Sequence, residues 1–144
     1  MEMSLALGQQ VLAAQPFSVL LGAQLTVFSE ERTEVLLALQ PTFLQQNRFA
    51  HGGILSYMAD TALTFMAGAA LGPAILTAEY KINYIKPARG ERLIARASVI
   101  AATKRQAVCR CDIFTATGDN EYLCATALGT SRATTGASGE ASER

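Results

Sequence analysis

The sequence is short of metal-ligating side chains and has no excess of charge. Its 144 residues include one histidine, three cysteines and no tryptophan, and no two cysteines have the Cys-x-x-Cys spacing of common zinc sites. We therefore expect no bound metal. Twelve basic residues balance twelve acidic ones, so no overall electrostatic field favours binding to nucleic acid or to an anionic membrane.

Long uninterrupted apolar runs are also missing. No stretch reaches the roughly 20 residues needed to cross a bilayer without a polar interruption, and Glu2 stands where a secretory signal would carry basic residues. These features predict a cytoplasmic protein that is not embedded in a membrane. Cys109 and Cys111 lie two positions apart in a predicted strand, which favours buried free thiols over a disulfide.

Hydrophobic residues, in contrast, make up half of a chain that is long enough for one domain. A short helix over Leu5–Ala14, begun by Ser4, precedes a β-hairpin. A long apolar helix over Gly52–Leu71 follows, and four further strands come after it in meander order. We therefore expect an α+β domain in which an antiparallel sheet wraps the long helix. The predicted strands are Gln24–Ser29, Thr33–Gln40, Ile75–Lys86, Glu91–Ala102, Arg105–Thr117 and Glu121–Arg132.

Composition divides the chain into three parts. Residues 1–16 hold the N-terminal helix, residues 17–132 form the main domain, and residues 133–144 form a tail. The tail is small and polar and has no large apolar side chain, so burial cannot offset the entropy of ordering it. We expect this tail to be flexible.

One acidic residue stands inside the long apolar helix. Between Val35 and Ala78 the only charged residues are Arg48 and Asp60, and an ionised carboxylate in an apolar helix is costly unless it is paired, hydrogen-bonded or solvated in a functional cavity. Asp60 is therefore a candidate catalytic residue; the alternative is a structural carboxylate satisfied by Thr64 or by the sheet. At 100° per residue the Asp60 face carries Gly53, Ser56, Tyr57, Thr64, Ala67 and Gly68, and the opposite face carries Leu55, Met58, Ala62, Phe65 and Ala69.

The tripeptide His51-Gly52-Gly53 stands at the start of that helix. Glycines leave N–H groups unshielded at a helix N-terminus, where four donors lack intrahelical acceptors and the helix dipole favours negative charge. This chemistry suits an oxyanion hole, although an ordinary glycine-rich helix start is the alternative. Gly52 and Asp60 are about 12 Å apart along a helix, too far for both to touch one carbonyl. A site that uses both is therefore expected to be shared across a two-fold dimer with antiparallel helices.

Three blocks of the sequence resemble the hotdog-fold thioesterases of the phenylacetate-degradation (PaaI-like) family. They are Gln45–Gly53 (QQNRFAHGG), the pair Ala59-Asp60, and Tyr80–Pro87 (YKINYIKP). The resemblance covers roughly residues 15–132. It implies the hotdog fold, assembly as a homodimer or homotetramer, and hydrolysis of acyl-CoA without a metal or another cofactor, because coenzyme A is part of the substrate.

The resemblance also implies roles for individual residues. Asp60 corresponds to the helix carboxylate that acts as nucleophile or as base for water. The N–H of Gly52 corresponds to the donor that polarises the thioester carbonyl, and His51 to the histidine that shapes that loop. Thr64 matches a hydroxyl found one turn after the carboxylate in some relatives.

A polar side chain precedes the histidine in these relatives, commonly Asn or Gln six positions before it. Gln45 stands at that distance from His51, and Asn47 stands four positions before it, so both are candidates. An alternative function is a non-catalytic hotdog module that binds acyl-CoA. A hotdog dehydratase fits less well, because it usually needs a catalytic histidine paired with an acid, and His51 is the only histidine.

Substrate contacts are expected from aromatic and basic residues. Tyr57, Phe65 and Tyr84 are candidates for the pocket that receives the acyl group, and ordinary core packing is the alternative for each. Gly53 is a further candidate for a substrate contact. Eight basic residues and one acid, Glu91, lie between Lys81 and Arg110, which is the densest supply of cations for the phosphates of CoA. The preferred phosphate contacts, near predicted turns, are Arg89, Lys104 and Arg105.

Overall fold

The computed structural model describes residues 3–134, which form one six-stranded antiparallel sheet and three α-helices. The helices are α1 (Leu5–Ala13), α2 (Pro16–Leu21) and α3 (Gly52–Leu71), with a 3-10 turn at Pro41–Phe43. The strands are β1 (Gln24–Phe28), β2 (Thr33–Ala38), β3 (Ile75–Tyr84), β4 (Arg92–Ala102), β5 (Gln106–Thr117) and β6 (Asn120–Ala133). The predicted fold class is confirmed.

The N-terminal region contains two helices where one was predicted. Ser4 begins α1 as expected, because its Oγ accepts a hydrogen bond from the N–H of Leu7 at 3.1 Å. Pro16 not only follows the end of α1 but also starts α2, at a position where its missing N–H costs no helical hydrogen bond. Gly22, with φ of +80°, ends α2 in the left-handed conformation that glycine adopts readily.

The sheet has the strand order β1-β2-β4-β5-β6-β3. The predicted hairpin and the run β4–β5–β6 are confirmed, but the meander prediction is wrong for β3, which pairs with β6 at the far edge, Ile75 opposite Ala133 and Tyr84 opposite Ala125. The reason is the length of α3, which spans about 30 Å and carries the chain across the sheet before β3 begins. Strand β4 then returns to pair with β2.

Helix α3 packs its apolar face against the sheet. Leu55, Met58 and Ala62 are buried, as predicted for the side opposite Asp60. Ala67 was predicted on the small, polar face but is fully buried, because almost every residue between 62 and 67 is enclosed by the surrounding elements. By length and composition α3 is apolar enough to cross a membrane, yet half of its most apolar window is buried inside the protein, as in the core helix of a soluble domain.

Strand β5 supplies the opposing side of the core. Its residues alternate between buried and less buried positions, as predicted, with Cys109, Cys111 and Ile113 facing α3. Both cysteines, and Cys124 on β6, are buried free thiols, which confirms that prediction.

Only the first two residues of the predicted tail, 133–144, fall within the described part of the chain. Ala133 ends β6, and the N–H of Thr134 donates to the carbonyl of Ala74 at 2.8 Å. The remainder of that prediction lies outside the described residues.

Candidate active site

The N-terminus of α3 presents one backbone donor without an acceptor. His51 is the N-cap, and its Nδ1 accepts the N–H of Gly53 at 2.8 Å. The carbonyl of Gly52 accepts a hydrogen bond from the Tyr84 hydroxyl at 3.0 Å. Among residues 3–134, no acceptor meets the N–H of Gly52, so this donor is free to bind an external oxygen at the positive end of the helix.

Asp60 is held through one carboxylate oxygen. The Thr77 hydroxyl, on β3, donates to Oδ1 of Asp60 at 2.8 Å. The Thr64 hydroxyl lies 3.4 Å from the same oxygen and donates at 2.7 Å to the backbone carbonyl of Asp60. Neither hydroxyl, nor any other described residue, makes a hydrogen bond to Oδ2. The half-buried carboxylate is therefore oriented by a sheet residue and keeps one oxygen available for chemistry.

Thr77 is a site residue that was not named from the sequence. A sheet partner for Asp60 was foreseen as the structural alternative, but the two residues are 17 positions apart on different elements. No local spacing identifies such a pair. The alternative that Asp60 is a structural carboxylate is therefore partly correct, because Thr77 binds Oδ1 of Asp60 but leaves Oδ2 free of described partners.

Asp60 lines a cleft of about 580 Å³, here called the Asp60 cleft, between α2, α3 and β3. Tyr57 lies in its wall with its hydroxyl 2.5 Å from Ser18 Oγ and its ring edge-on to Phe17. The polar or small residues that α3 and β3 contribute to this cleft are Gly53, Ser56, Tyr57, Thr61, Thr64, Thr77 and Tyr80. Most of the predicted small, polar face of α3 opens into the cleft, but Phe65, which was predicted on the opposite face, also lines it, and Ala67 and Gly68 do not.

The loop before α3 holds the two polar candidates away from that cleft. The side-chain oxygen of Gln45 accepts a hydrogen bond from the N–H of Asn47, so the amide is turned into its own loop. The Asn47 side chain is exposed, and its backbone carbonyl accepts from Arg89 at 3.3 Å. Neither Gln45 nor Asn47 lines the Asp60 cleft.

The predicted phosphate contacts fall at two ends of the sheet. Arg89 lies near the N-terminus of α3, with its guanidinium 5.2 Å from the centre of the Phe49 ring. Lys104 and Arg105 lie in the turn after β4, and Arg105 accepts a hydrogen bond from the end of β6. The eleven residues of β4 separate the two ends by about 33 Å, so one protomer does not bring all three basic residues to one site.

Tyr84 lies outside the Asp60 cleft of its own protomer. Its exposed ring stands against Gly52 at the opposite end of β3 from Thr77. Among residues 3–134, no three His, Cys, Asp or Glu side chains lie close enough to share a metal ion.

Known proteins share this architecture. No curated protein matches the sequence. A thioesterase family protein from Silicibacter pomeroyi has a structure with a TM-score of 0.85 and 29% identity, covering 92% of this chain and 100% of its own. A thioesterase from Haemophilus influenzae, of enzyme class 3.1.2, has a TM-score of 0.81 and 20% identity, covering 93% of this chain and 92% of its own. A protein from Thermus thermophilus has a TM-score of 0.73 and 24% identity over 83% of this chain and 98% of its own.

The family comparison covers both ends of the candidate site. Residues 47–122 match the thioesterase superfamily, and this range contains Gly52, Asp60 and Thr77. The six-stranded sheet around one long helix is the hotdog fold that these structures share. Because the match extends over more than half of the sequence, the chain belongs to the thioesterase superfamily.

Proposed function

We propose that this protein hydrolyses acyl-CoA thioesters, as a member of the PaaI-like branch, in a site formed by two copies of the chain. Asp60 of one copy supplies the carboxylate and Gly52 of the other supplies the N–H donor. The observation that carries this proposal is the free N–H of Gly52 on the same unbroken helix as Asp60, about 12 Å away. Each group suits one half of the reaction, and one protomer cannot apply both to the same carbonyl.

The chemistry needs only these groups and water. With Asp60 as a general base, its free oxygen takes a proton from water while the water oxygen bonds to the thioester carbon. The carbonyl electron pair moves onto oxygen, where the N–H of Gly52 stabilises it. Collapse of this intermediate breaks the C–S bond, and the thiolate of CoA takes the proton back from Asp60. Direct attack by Asp60 gives the same products through an anhydride that water then cleaves.

The edge of the sheet supports a shared site. Strand β3 is an edge strand ten residues long, with alternate N–H and C=O groups open to pairing with another strand. An antiparallel pairing of β3 with its own copy that sets Tyr84 opposite Thr77 would join the two sheets. Since Tyr84 contacts Gly52 and Thr77 contacts Asp60, this register would carry Gly52 of the second copy to Asp60.

Substrate recognition follows from the same arrangement. Arg89 is the contact that we favour for a CoA phosphate, because it lies beside the loop that leads to Gly52. Lys104 and Arg105 would bind a CoA phosphate only if CoA extended to the opposite end of the sheet. We expect the enzyme to work in the cytoplasm, as a dimer or a dimer of dimers, with no cofactor beyond its substrate.

A complementation experiment tests the shared site directly. Gly52→Pro removes the N–H at the first helical position, where proline is tolerated, and the extended ψ of 137° at His51 suits a residue before proline. Gly52→Ala is the matched control that keeps the N–H. Thiol release from acyl-CoA should fall at least about 100-fold in Asp60→Asn and in Gly52→Pro, a change of about 2.7 kcal/mol.

The decisive sample is a heterodimer of one Asp60→Asn chain and one Gly52→Pro chain, purified through two different tags. In a shared arrangement one of its two sites combines the intact Asp60 with the intact Gly52, so about half of the wild-type activity should return. If each site lay within one chain, both sites would be damaged and the heterodimer would stay inactive. Tight acyl-CoA binding by wild type without any thiol release would instead favour the non-catalytic binding module.

A further inference from the structure

A second cavity, of about 320 Å³, opens between α1, α3 and the start of β3. It adjoins the Asp60 cleft, because four residues line both: Gln15, Thr64, Phe65 and Ile75. Its volume lies near the lower end of the range for small-molecule sites. The cavity therefore lies next to the Asp60 cleft, further along α3.

The walls of this cavity are largely apolar, with Gln15 and Thr64 as the polar side chains among the described residues that line it. Leu7 and Val11 of α1 face it from one side, and Phe28 and Phe65 close another with their rings edge-on at 5.8 Å. None of the described residues that line it is charged. Such a surface favours a hydrocarbon chain, because burying apolar area is the main gain and no charged side chain loses its hydration.

Gly68 lies in the wall of the cavity, and Gly72 and Pro73 line it beyond the end of α3. Asp60, Thr64 and Gly68 follow one another at four-residue intervals on one face of α3, so Gly68 lies about 12 Å beyond Asp60. Gly68 has no side chain, and a Cβ placed there would meet only Ile75, at 3.6 Å. An extended chain advances about 1.2 Å per bond, so the distance from Asp60 to Gly68 corresponds to roughly eight to ten carbons.

We infer that this cavity receives the acyl chain of the substrate, that the preferred acyl group is an unbranched chain of roughly eight to ten carbons, and that Gly68 determines this length. The inference rests on the proposed function and specifies its substrate. A butyryl group ends about one helical turn beyond Asp60, and a phenylacetyl or benzoyl group also stops short of Gly68. These acyl groups leave the apolar cavity unfilled and are expected to be poorer substrates than octanoyl.

Adding a side chain at Gly68 tests the inference. Gly68→Leu places a side chain in the cavity two turns beyond Asp60, and it favours the helix, since glycine is the poorer helix former. Its matched control is Ala70→Leu, which adds a leucine two positions further on, at an exposed site outside the cavity. Wild type should prefer octanoyl-CoA to butyryl-, phenylacetyl- and benzoyl-CoA, as judged by kcat/KM.

The measured quantity is the ratio of kcat/KM for octanoyl-CoA to that for butyryl-CoA. We expect this ratio to fall at least about tenfold in Gly68→Leu and to stay within twofold of wild type in Ala70→Leu. An unchanged ratio in a folded Gly68→Leu protein would overturn the inference, as would a wild-type preference for phenylacetyl-CoA. If Gly68→Leu does not fold, Gly68→Ala replaces it in the test. Gly68→Ala should lower the ratio about threefold, and an unchanged ratio would overturn the inference.

The same measurements distinguish an incorrect acyl cavity from an incorrect thioesterase function. Hydrolysis of all acyl-CoAs with no effect at Gly68 would leave the thioesterase proposal intact and remove the acyl cavity. If wild type releases no thiol at all, calorimetric binding of octanoyl-CoA and butyryl-CoA to wild type and Gly68→Leu gives the same comparison without turnover. Equal effects of Gly68→Leu on both affinities would then count against the cavity.

Discussion

Replacing Thr77 with valine removes one hydroxyl and preserves the shape of the side chain. This hydroxyl donates to Oδ1 of Asp60 at 2.8 Å, and a hydrogen bond to a charged group contributes about 1.5–3 kcal/mol. Without it the carboxylate is free to leave the reactive orientation. We therefore expect kcat for acyl-CoA hydrolysis to fall about 10- to 150-fold in Thr77→Val.

The matched variant is Thr64→Val, at the hydroxyl that the family resemblance singles out. Its Oγ1 lies 3.4 Å from Oδ1 of Asp60, beyond the usual range for an O–H donor. It lies within hydrogen-bonding distance of the Asp60 backbone carbonyl, at 2.7 Å, and of Thr77 Oγ1, at 2.9 Å, so it reaches the carboxylate only through Thr77. A decrease in kcat of less than about threefold is expected.

Thiol release under saturating substrate, with circular dichroism to verify folding, gives both values. An equal or larger loss in Thr64→Val would refute the assignment of Thr77 as the residue that positions Asp60.

Two further predictions concern ionisation. Arg96 bonds to Glu34 and Glu121 at 2.9 and 2.8 Å. Burial, the largest single effect, would raise the pKa of Glu34, but the hydrogen bonds from Arg96 and Thr26 and the charges of Arg96 and Arg32 together lower it. The hydrogen bond from Arg96 also lowers the pKa of Glu121. These pairs stabilise the fold above the ordinary carboxyl pKa of 4.5 and lose that effect as the pH falls below it. Arg96→Met should therefore lower the free energy of unfolding, measured by urea denaturation, by about 1 kcal/mol at pH 7 and by less at pH 3. Equal decreases in unfolding free energy at the two pH values would contradict this. Burial raises the pKa of the Cys109 thiol to about 11 and raises that of the other two cysteines, so an aromatic disulfide reagent at pH 8 should label three thiols after unfolding and none before; fast labelling of the folded protein would contradict this.

Local sequence signals were sufficient for most elements of the fold. The bounds of α3 follow from a glycine start and from the Gly72-Pro73 break. The alternation of apolar and polar residues through β5 likewise predicts its buried face. The end signals of α3 and this alternation both depend only on residues that are close in sequence. Pro16 is different, because a proline after a helix can end that helix or start the next one, and only packing of α2 decides between them.

Non-local relations account for what the sequence did not predict. The position of β3 at the far edge depends on where α3 delivers the chain, and the Asp60–Thr77 contact depends on the position of β3. Lys104 and Arg105 were grouped with Arg89 as phosphate contacts because all three lie near predicted turns, but successive turns in an antiparallel sheet stand at opposite ends. Composition therefore identified the cationic strands without identifying which end carries the site.

Helix α3 connects the two proposals. Its exposed face carries a free N–H at Gly52, a carboxylate two turns later at Asp60, and an open glycine two turns further at Gly68. Asp60 and the acyl cavity lie on the same chain, whereas the N–H that would reach this Asp60 belongs to the second copy. One chain would therefore select the acyl group, and the other would polarise the carbonyl. The sheet fixes the buried face of α3, so the 1.5 Å rise per residue of one rigid helix sets these distances. A dimer in which one helix is shifted along the other would separate the Gly52 N–H from the Asp60 carboxylate. The same shift would leave the acyl cavity unchanged.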